Sequence, residues 1–264
     1  MNSQYFSVLL CSLSVPLSVV AAEEKAVQDM SDPLAVYTQV GIGATNKGLN
    51  LKIGQAYDTG IATTAGMNVI EVKGIYGDTL GWDSDSKTTD SIDSFRFRNF
   101  AVDLTTMSAT QIDATYNLNA NLVADESMDV SYSYIKALKP MGRFSFYPLA
   151  GVGASLGENA REDDGSRDSG YSIMGAYGLI GMYAKVTISD KIWLNYNPFW
   201  LTTIGGSDTY KDHYYGLDQS HILTHEFAAS YQINPRMNLR YFANWNENVD
   251  FMDGDHRLEF NYQL

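Results

Sequence analysis

The stretch His256-Arg257-Leu258-Glu259-Phe260-Asn261-Tyr262-Gln263-Leu264 alternates strictly, with Leu258, Phe260, Tyr262 and Leu264 interleaved among Arg257, Glu259, Asn261 and Gln263. A period of two sends successive side chains to opposite faces of an extended strand. One face is therefore apolar and partly aromatic, and the other is wholly polar. Such a strand separates an apolar medium from a wet one along its whole length.

The same alternation recurs upstream. Segments of strand character fall at 34–44, 49–57, 68–77, 92–105, 109–122, 128–138, 143–156, 171–189, 192–204, 220–233 and 237–245, which makes twelve with the last. No convincing amphipathic helix interrupts them. In 109–122, Ile112, Ala114 and Tyr116 oppose Gln111, Asp113 and Thr115. In 92–105 the phase changes, because Phe95 and Phe97 are odd whereas Phe100, Val102 and Leu104 are even. One extra residue near Asn99, a β-bulge, would restore a single apolar face. The two faces of 171–189 are too similar to orient. Ten or fourteen strands are alternatives compatible with the same pattern.

The connections sort by length. Those at 105–108, 139–142, 189–191 and 234–236 are short, while those at 78–91, 157–170, 205–219 and 247–255 are long and rich in Asp, Glu, Gly and Ser. With twelve strands both termini fall on the short-turn side. The exceptions are 46–48, short on the long side, and 58–66, long on the short side.

Composition narrows the class. Eighteen Tyr, eleven Phe and four Trp accompany 22 Gly and six Pro, with a mean hydropathy of −0.20. After residue 22 there is no run of about 20 apolar residues, the length a membrane helix needs. The apolar run 5–22 ends Val20-Ala21-Ala22 before Glu23-Glu24-Lys25 and reads as a secretory signal peptide cleaved after Ala22. Cys11, the only cysteine, lies inside it, so the mature chain is expected to carry no thiol. A net charge of −13 argues against nucleic acid as a partner, since phosphate neutralisation needs basic surface.

The signal peptide, the aromatic alternating strands, the asymmetric loops and the Leu258-Phe260-Tyr262-Leu264 row together resemble a Gram-negative outer-membrane β-barrel of about twelve strands. The resemblance spans nearly the whole mature chain and is to a class rather than to one family. It implies an all-β, transmembrane, antiparallel up-and-down barrel over 34–264 in the bacterial outer membrane, preceded by a short periplasmic segment at 23–33. It also implies contact with outer-membrane lipid and lipopolysaccharide, and handling by periplasmic chaperones and the barrel assembly machinery. For that machinery, Leu258, Phe260, Tyr262 and Leu264 would be the assembly signal, with Leu264 standing where members most often have Phe. Twelve-stranded members include oligogalacturonate-type porins, nucleoside channels, a phospholipase and a lipid A deacylase, and none matches by a quotable motif.

Candidate chemistry is sparse. His213, His221, His225 and His256 fall in or near the long loops. The run His221 to Glu226 reverses the order of the metalloprotease helix motif, and on a strand His221 and His225 would lie about 13 Å apart, too far to share an ion. Strand-end histidines at the membrane interface are the expectation, with no metal, cofactor or catalytic residue. Gly41-Ile42-Gly43 and Gly151-Val152-Gly153 lack the third glycine and following helix of a phosphate loop, and read as places of close backbone approach.

The polar faces carry the functional expectation. The phasing places Lys52, Lys73, Arg96, Arg98, Arg143, Arg240 and Arg257 in the lumen with Glu71, Asp103, Asp113, Asp129, Glu226 and Glu259. This near balance reads either as a polar eyelet for a hydrophilic solute or as an ion-pair network filling the bore. The expectation is a narrow channel for passive diffusion of small polar or charged solutes, with Arg96, Arg98, Arg143 and Arg240 as solute contacts. The alternatives are a plugged structural or adhesive barrel acting through its acidic exterior loops, and a lipid-modifying hydrolase.

Overall fold

The computed structural model describes residues 27–45, 47–77 and 93–264. The signal peptide and the acidic loop carrying Asp78, Asp83, Asp85 and Asp90 lie outside the described residues. Twelve strands pair antiparallel with their sequence neighbours and close into one barrel. They are β1 (Gln39–Thr45), β2 (Gly48–Tyr57), β3 (Thr64–Ile75), β4 (Ser94–Asp103), β5 (Ser108–Asn117) and β6 (Glu126–Lys136), followed by β7 (Phe144–Glu158), β8 (Tyr171–Ser189), β9 (Ile192–Gly206), β10 (His221–Asn234), β11 (Met237–Asn246) and β12 (Asp255–Gln263). A short helix α1 (Asp208–His213) lies between β9 and β10.

The terminal alternation closes the ring. β12 pairs with β1 from Gln39 opposite Gln263 to Thr45 opposite Arg257. Leu258, Phe260 and Tyr262 stand opposite Ala44, Ile42 and Val40 on the outer face. Around the circumference the outward row continues through Leu51, Ile53, Ile70, Phe95, Ile112, Tyr132, Val152, Ile180 and Trp200, many of them about half exposed. An apolar belt on every strand of a closed antiparallel barrel is the surface of an outer-membrane protein, with long loops outside and short turns and termini on the periplasmic side.

Two strands depart from the alternation read off the sequence. β4 has no bulge: its register runs unbroken from Ser94 to Asp103 against both β3 and β5. Phe100 and Val102 therefore point inward with Arg96 and Arg98, and Asp103 points outward. An inward Val102 is tolerated because it is buried with Leu34 of the N-terminal segment and with Ala109, Ile135, Tyr147 and Leu149. β8 contains the bulge instead, between Ile173 and Gly175 in its pairing with β7. Beyond that bulge Tyr177, Leu179, Tyr183 and Lys185 face the lumen, and Ile180 and Ile188 face outward.

Inward glycines make room for large lumen rings. A side chain at Gly153 would collide with the Tyr177 ring, one at Gly181 with Phe199, and one at Gly175 with Tyr210. Gly41 leaves space for Lys52 and Asn261 in the same way, which is the close approach its sequence context indicates.

Candidate functional site

Alternation along nine of the strands brings charge into the bore. Lys52 Nζ lies 2.5 Å from Glu259 Oε1, joining β2 to β12 across β1, and Asn50 Nδ2 donates to the other carboxylate oxygen at 3.2 Å. Arg98 Nη2 meets Glu71 Oε1 at 2.5 Å. Arg96 makes a two-point contact with Asp113, through Nε at 2.8 Å and Nη2 at 2.5 Å. These pairs connect neighbouring walls rather than reaching across the barrel.

Three cations have no such match. Arg240 donates to two neutral groups, Ser230 Oγ at 3.0 Å and Asn195 Oδ1 at 3.2 Å. Arg257 Nε is 3.5 Å from Glu259, which already holds Lys52, and neither its Nε nor its Nη1 makes a hydrogen bond among the described residues. The Arg257 and Arg240 guanidiniums both pack on the Phe242 ring, at 4.2 and 4.6 Å from its centroid. That ring replaces part of their lost hydration through its negative face. Lys73 lines the same cavity and makes no ion pair among the described residues. Of the remaining lumen carboxylates, Glu226 accepts from Asn197 at 2.7 Å, and Asp129 accepts from Ser155 and Tyr214 at 2.6 Å each.

These groups border three connected spaces. An outer vestibule of about 930 Å³ runs between the β10–β12 wall and Lys47 down to Arg96, Arg98, Tyr183 and Glu226. Those four residues also border an inner cavity of about 210 Å³ lined by Lys52, Glu71, Lys73, Arg240, Arg257 and Glu259. A side chamber of about 320 Å³ opens at Arg96 and Tyr183 and is walled by Tyr177, Phe199 and Asp129. Tyr214 and Tyr215, just after α1, roof it from the exterior side. The lumen is thus a polar eyelet with an aromatic annex.

Two of the lumen assignments read from the sequence do not hold. Asp103 sits on the outer face at the end of β4, where it accepts backbone N–H bonds from Thr105 at 2.8 Å and Thr106 at 3.1 Å and so caps the turn. Arg143 precedes β7 in the turn closed by Gly142, is exposed, and donates to the Ile188 carbonyl at 3.4 Å on the periplasmic rim. Lys52, Glu71, Lys73, Arg96, Arg98, Asp113, Asp129, Glu226, Arg240, Arg257 and Glu259 do face the bore.

Lumen residues not read from the sequence are Lys185 and Tyr183 on the unphased β8, and the tyrosines of the α1 loop. The spacing Tyr210-x-x-x-Tyr214 was their available signal, since one helical turn puts both rings on one face. Three of the four histidines, those on β10 and β12, point away from the bore. His225 stacks on Tyr196 and Trp245, His256 on Tyr241, and His221 packs against Trp200, all on the outer face near the exterior rim.

No protein-family model and no curated protein matches the sequence. Solved structures do match in fold. The NanC porin superposes with a TM-score of 0.53 at 8% identity, over 86% of this chain and all of that one. An outer-membrane channel from Pseudomonas putida F1 superposes with a TM-score of 0.52 at 7% identity, over 91% of this chain and all of that one. The chain therefore has the barrel fold of outer-membrane porins and channels.

Proposed function

We propose that this protein is a narrow outer-membrane channel through which small polar solutes diffuse passively, with a preference for anions. The observation that carries this reading is the surplus of positive charge around the inner cavity. Glu71, Asp113 and Glu259 are each taken up by a paired cation, whereas among the described residues Lys73 makes no ion pair, Arg240 bonds only neutral groups, and Arg257 Nε and Nη1 make no hydrogen bond. A desolvated cation attracts a passing anion far more strongly than one in bulk water does. The fold supports the reading, because twelve strands lie between the filled eight-stranded barrel and the open porin of sixteen or more.

Purified protein in a planar bilayer is expected to give stepwise conductance, and in a salt gradient a reversal potential on the anion side. A correctly folded barrel that stays electrically silent in every variant described below overturns the reading. The second reading, a plugged barrel acting at the cell surface, draws support from the segment that crosses the bore before β1.

A further inference from the structure

Residues 27–38 precede the first strand and do not pair with the sheet as part of it. They enter the lumen. Met30 Sδ lies 3.6 Å from Asn238 Nδ2 on β11 and 3.5 Å from Gln232 Nε2 on β10. Four residues later Leu34 is buried in the cluster formed by Val102, Ala109, Ile135, Tyr147 and Leu149 on β4 to β7. In a ring of twelve strands, β10 stands opposite β4 and β11 opposite β5. The segment therefore spans the bore from wall to wall, and Met30, Ser31, Asp32, Pro33, Ala35 and Tyr37 form the floor of the inner cavity.

Its internal structure keeps it compact there. Asp29 Oδ1 accepts from the Ser31 amide and Asp32 Oδ1 from the Leu34 amide, both at 2.9 Å, and the Ala35 amide donates to the Asp32 carbonyl at 3.0 Å. Its ties to the wall are hydrogen bonds and packing rather than ion pairs. Lys185 Nζ donates to Ser31 Oγ at 3.1 Å and Tyr147 Oη to Asp32 Oδ1 at 3.3 Å, and no ion pair ties the segment to the barrel among the described residues. Apolar packing of Leu34 and Val36 adds to these, as do bonds at the two ends of the segment: the Gln263 side-chain amide bonds the Gln28 backbone, the Leu264 amide donates to the Thr38 carbonyl at 3.0 Å, and the Ala56 amide donates to Thr38 Oγ1 at 3.2 Å.

Charge and polarity fit an occupant that can leave. The lumen wall carries seven cations, Lys52, Lys73, Arg96, Arg98, Lys185, Arg240 and Arg257, against five carboxylates, Glu71, Asp113, Asp129, Glu226 and Glu259. Asp29 and Asp32 bring the described segment two negative charges. The apolar patch from Val102 to Leu149 is out of place in a wet lumen and is explained by the Leu34 side chain that covers it.

We propose that residues 27–38 are a built-in plug that closes the periplasmic mouth of the bore at rest, and that solute passes when the segment withdraws toward the periplasm. This rests on the channel reading above.

The test is conductance of the full-length barrel and three variants in a planar bilayer, each confirmed as folded by its heat-dependent gel shift. Deleting residues 27–36 is expected to give a steadily open channel with severalfold higher mean current and a reversal potential shifted toward anions by the loss of Asp29 and Asp32. Leu34→Asp, which places a charge in the apolar cluster, should do the same in part. Met30→Cys with Asn238→Cys should be silent when oxidised and recover on reduction, the sequence having no cysteine after Cys11 to interfere. A deletion variant that conducts no more than the conducting wild type overturns the plug and leaves the channel reading intact. An oxidised cysteine pair that conducts like its reduced form also overturns the plug. A deletion variant that is folded and silent overturns both.

Discussion

Phe242 shows how single residues tune this bore. Its ring packs against two guanidiniums, Arg240 and Arg257, and offsets part of the hydration each loses in the bore. Arg240 is the better probe of selectivity because its hydrogen-bond partners are neutral, so changing it breaks no carboxylate pair. Arg240→Glu is expected to move the reversal potential toward cations while the barrel stays folded; an unmoved potential removes Arg240 from the solute path. Lys52 has the opposite character. It is buried against Glu259, which is 1% exposed, so Lys52→Met leaves a buried carboxylate held only by Asn50 Nδ2 at 3.2 Å and by the Arg257 guanidinium at 3.5 Å. Removing one partner of a buried pair costs about 3–5 kcal/mol. Urea titration of the barrel in lipid should show a loss of that order for Lys52→Met, and a smaller one for the double change Lys52→Met with Glu259→Gln.

At the scale of elements, Asp163 is one of the carboxylates that tie the loop bearing α1 to the barrel. Asp163 Oδ1 accepts from the Thr209 amide at 2.7 Å, and backbone N–H groups of Thr209 and Asp208 hold its pKa below the ordinary carboxylate value. A depressed folded pKa means that the stabilisation is fully present above about pH 4, the ordinary Asp range, and is lost as pH falls through the lowered value. Hydrogen-exchange protection of residues 207–215, corrected for intrinsic rates, should hold between pH 7 and 5 and fall toward pH 3. In Asp163→Asn it should be low throughout, and equal protection in both proteins would dissociate Asp163 from the loop.

Legibility in the sequence also divides by element. β12 and β5 were readable because each has lipid on one side and water on the other, which forces strict alternation. β4 was misphased because Val102 and Phe100 face a lumen that is locally not wet: Leu34 covers Val102, and the Arg98 guanidinium lies over Phe100 at 5.6 Å. β8 was unreadable for a related reason, since its inward Tyr177, Leu179 and Tyr183 line the aromatic annex while its outward Ile180 faces lipid. Alternation reports polarity, and it fails where both faces are apolar. The lumen charges were largely legible, and the plug was not, because a segment that fills a bore has no partner strand to give it a period.

Over the whole molecule charge is partitioned by depth. The described exterior loops and strand ends carry Asp125, Glu126, Glu158, Glu162, Asp163, Asp164, Asp168, Asp208, Asp212, Asp218, Glu247, Asp250, Asp253 and Asp255 against Lys47, Arg161, Arg167 and Lys211. The bore below them has a surplus of cations. A solute entering from outside thus meets a negative mouth and then a positive eyelet, two filters of opposite sign in series. They respond differently to salt. The mouth is solvated, so its field reaches about 10 Å at 0.1 M and only about 3 Å at 1 M, whereas the desolvated charges of the eyelet are screened much less. Raising the salt should therefore weaken the cation-favouring filter first. In the open deletion variant, anion preference is expected to rise between 0.1 M and 1 M salt at a fixed gradient ratio, the reverse of a pore whose selectivity comes from surface charge alone. Replacing Asp250, Asp253 and Asp255 by Asn should raise anion preference at 0.1 M and change it little at 1 M. An anion preference that declines steadily with salt in both proteins would mean that Lys73, Arg240 and Arg257 are screened like solvated charges, and would remove the desolvated eyelet as the selecting filter.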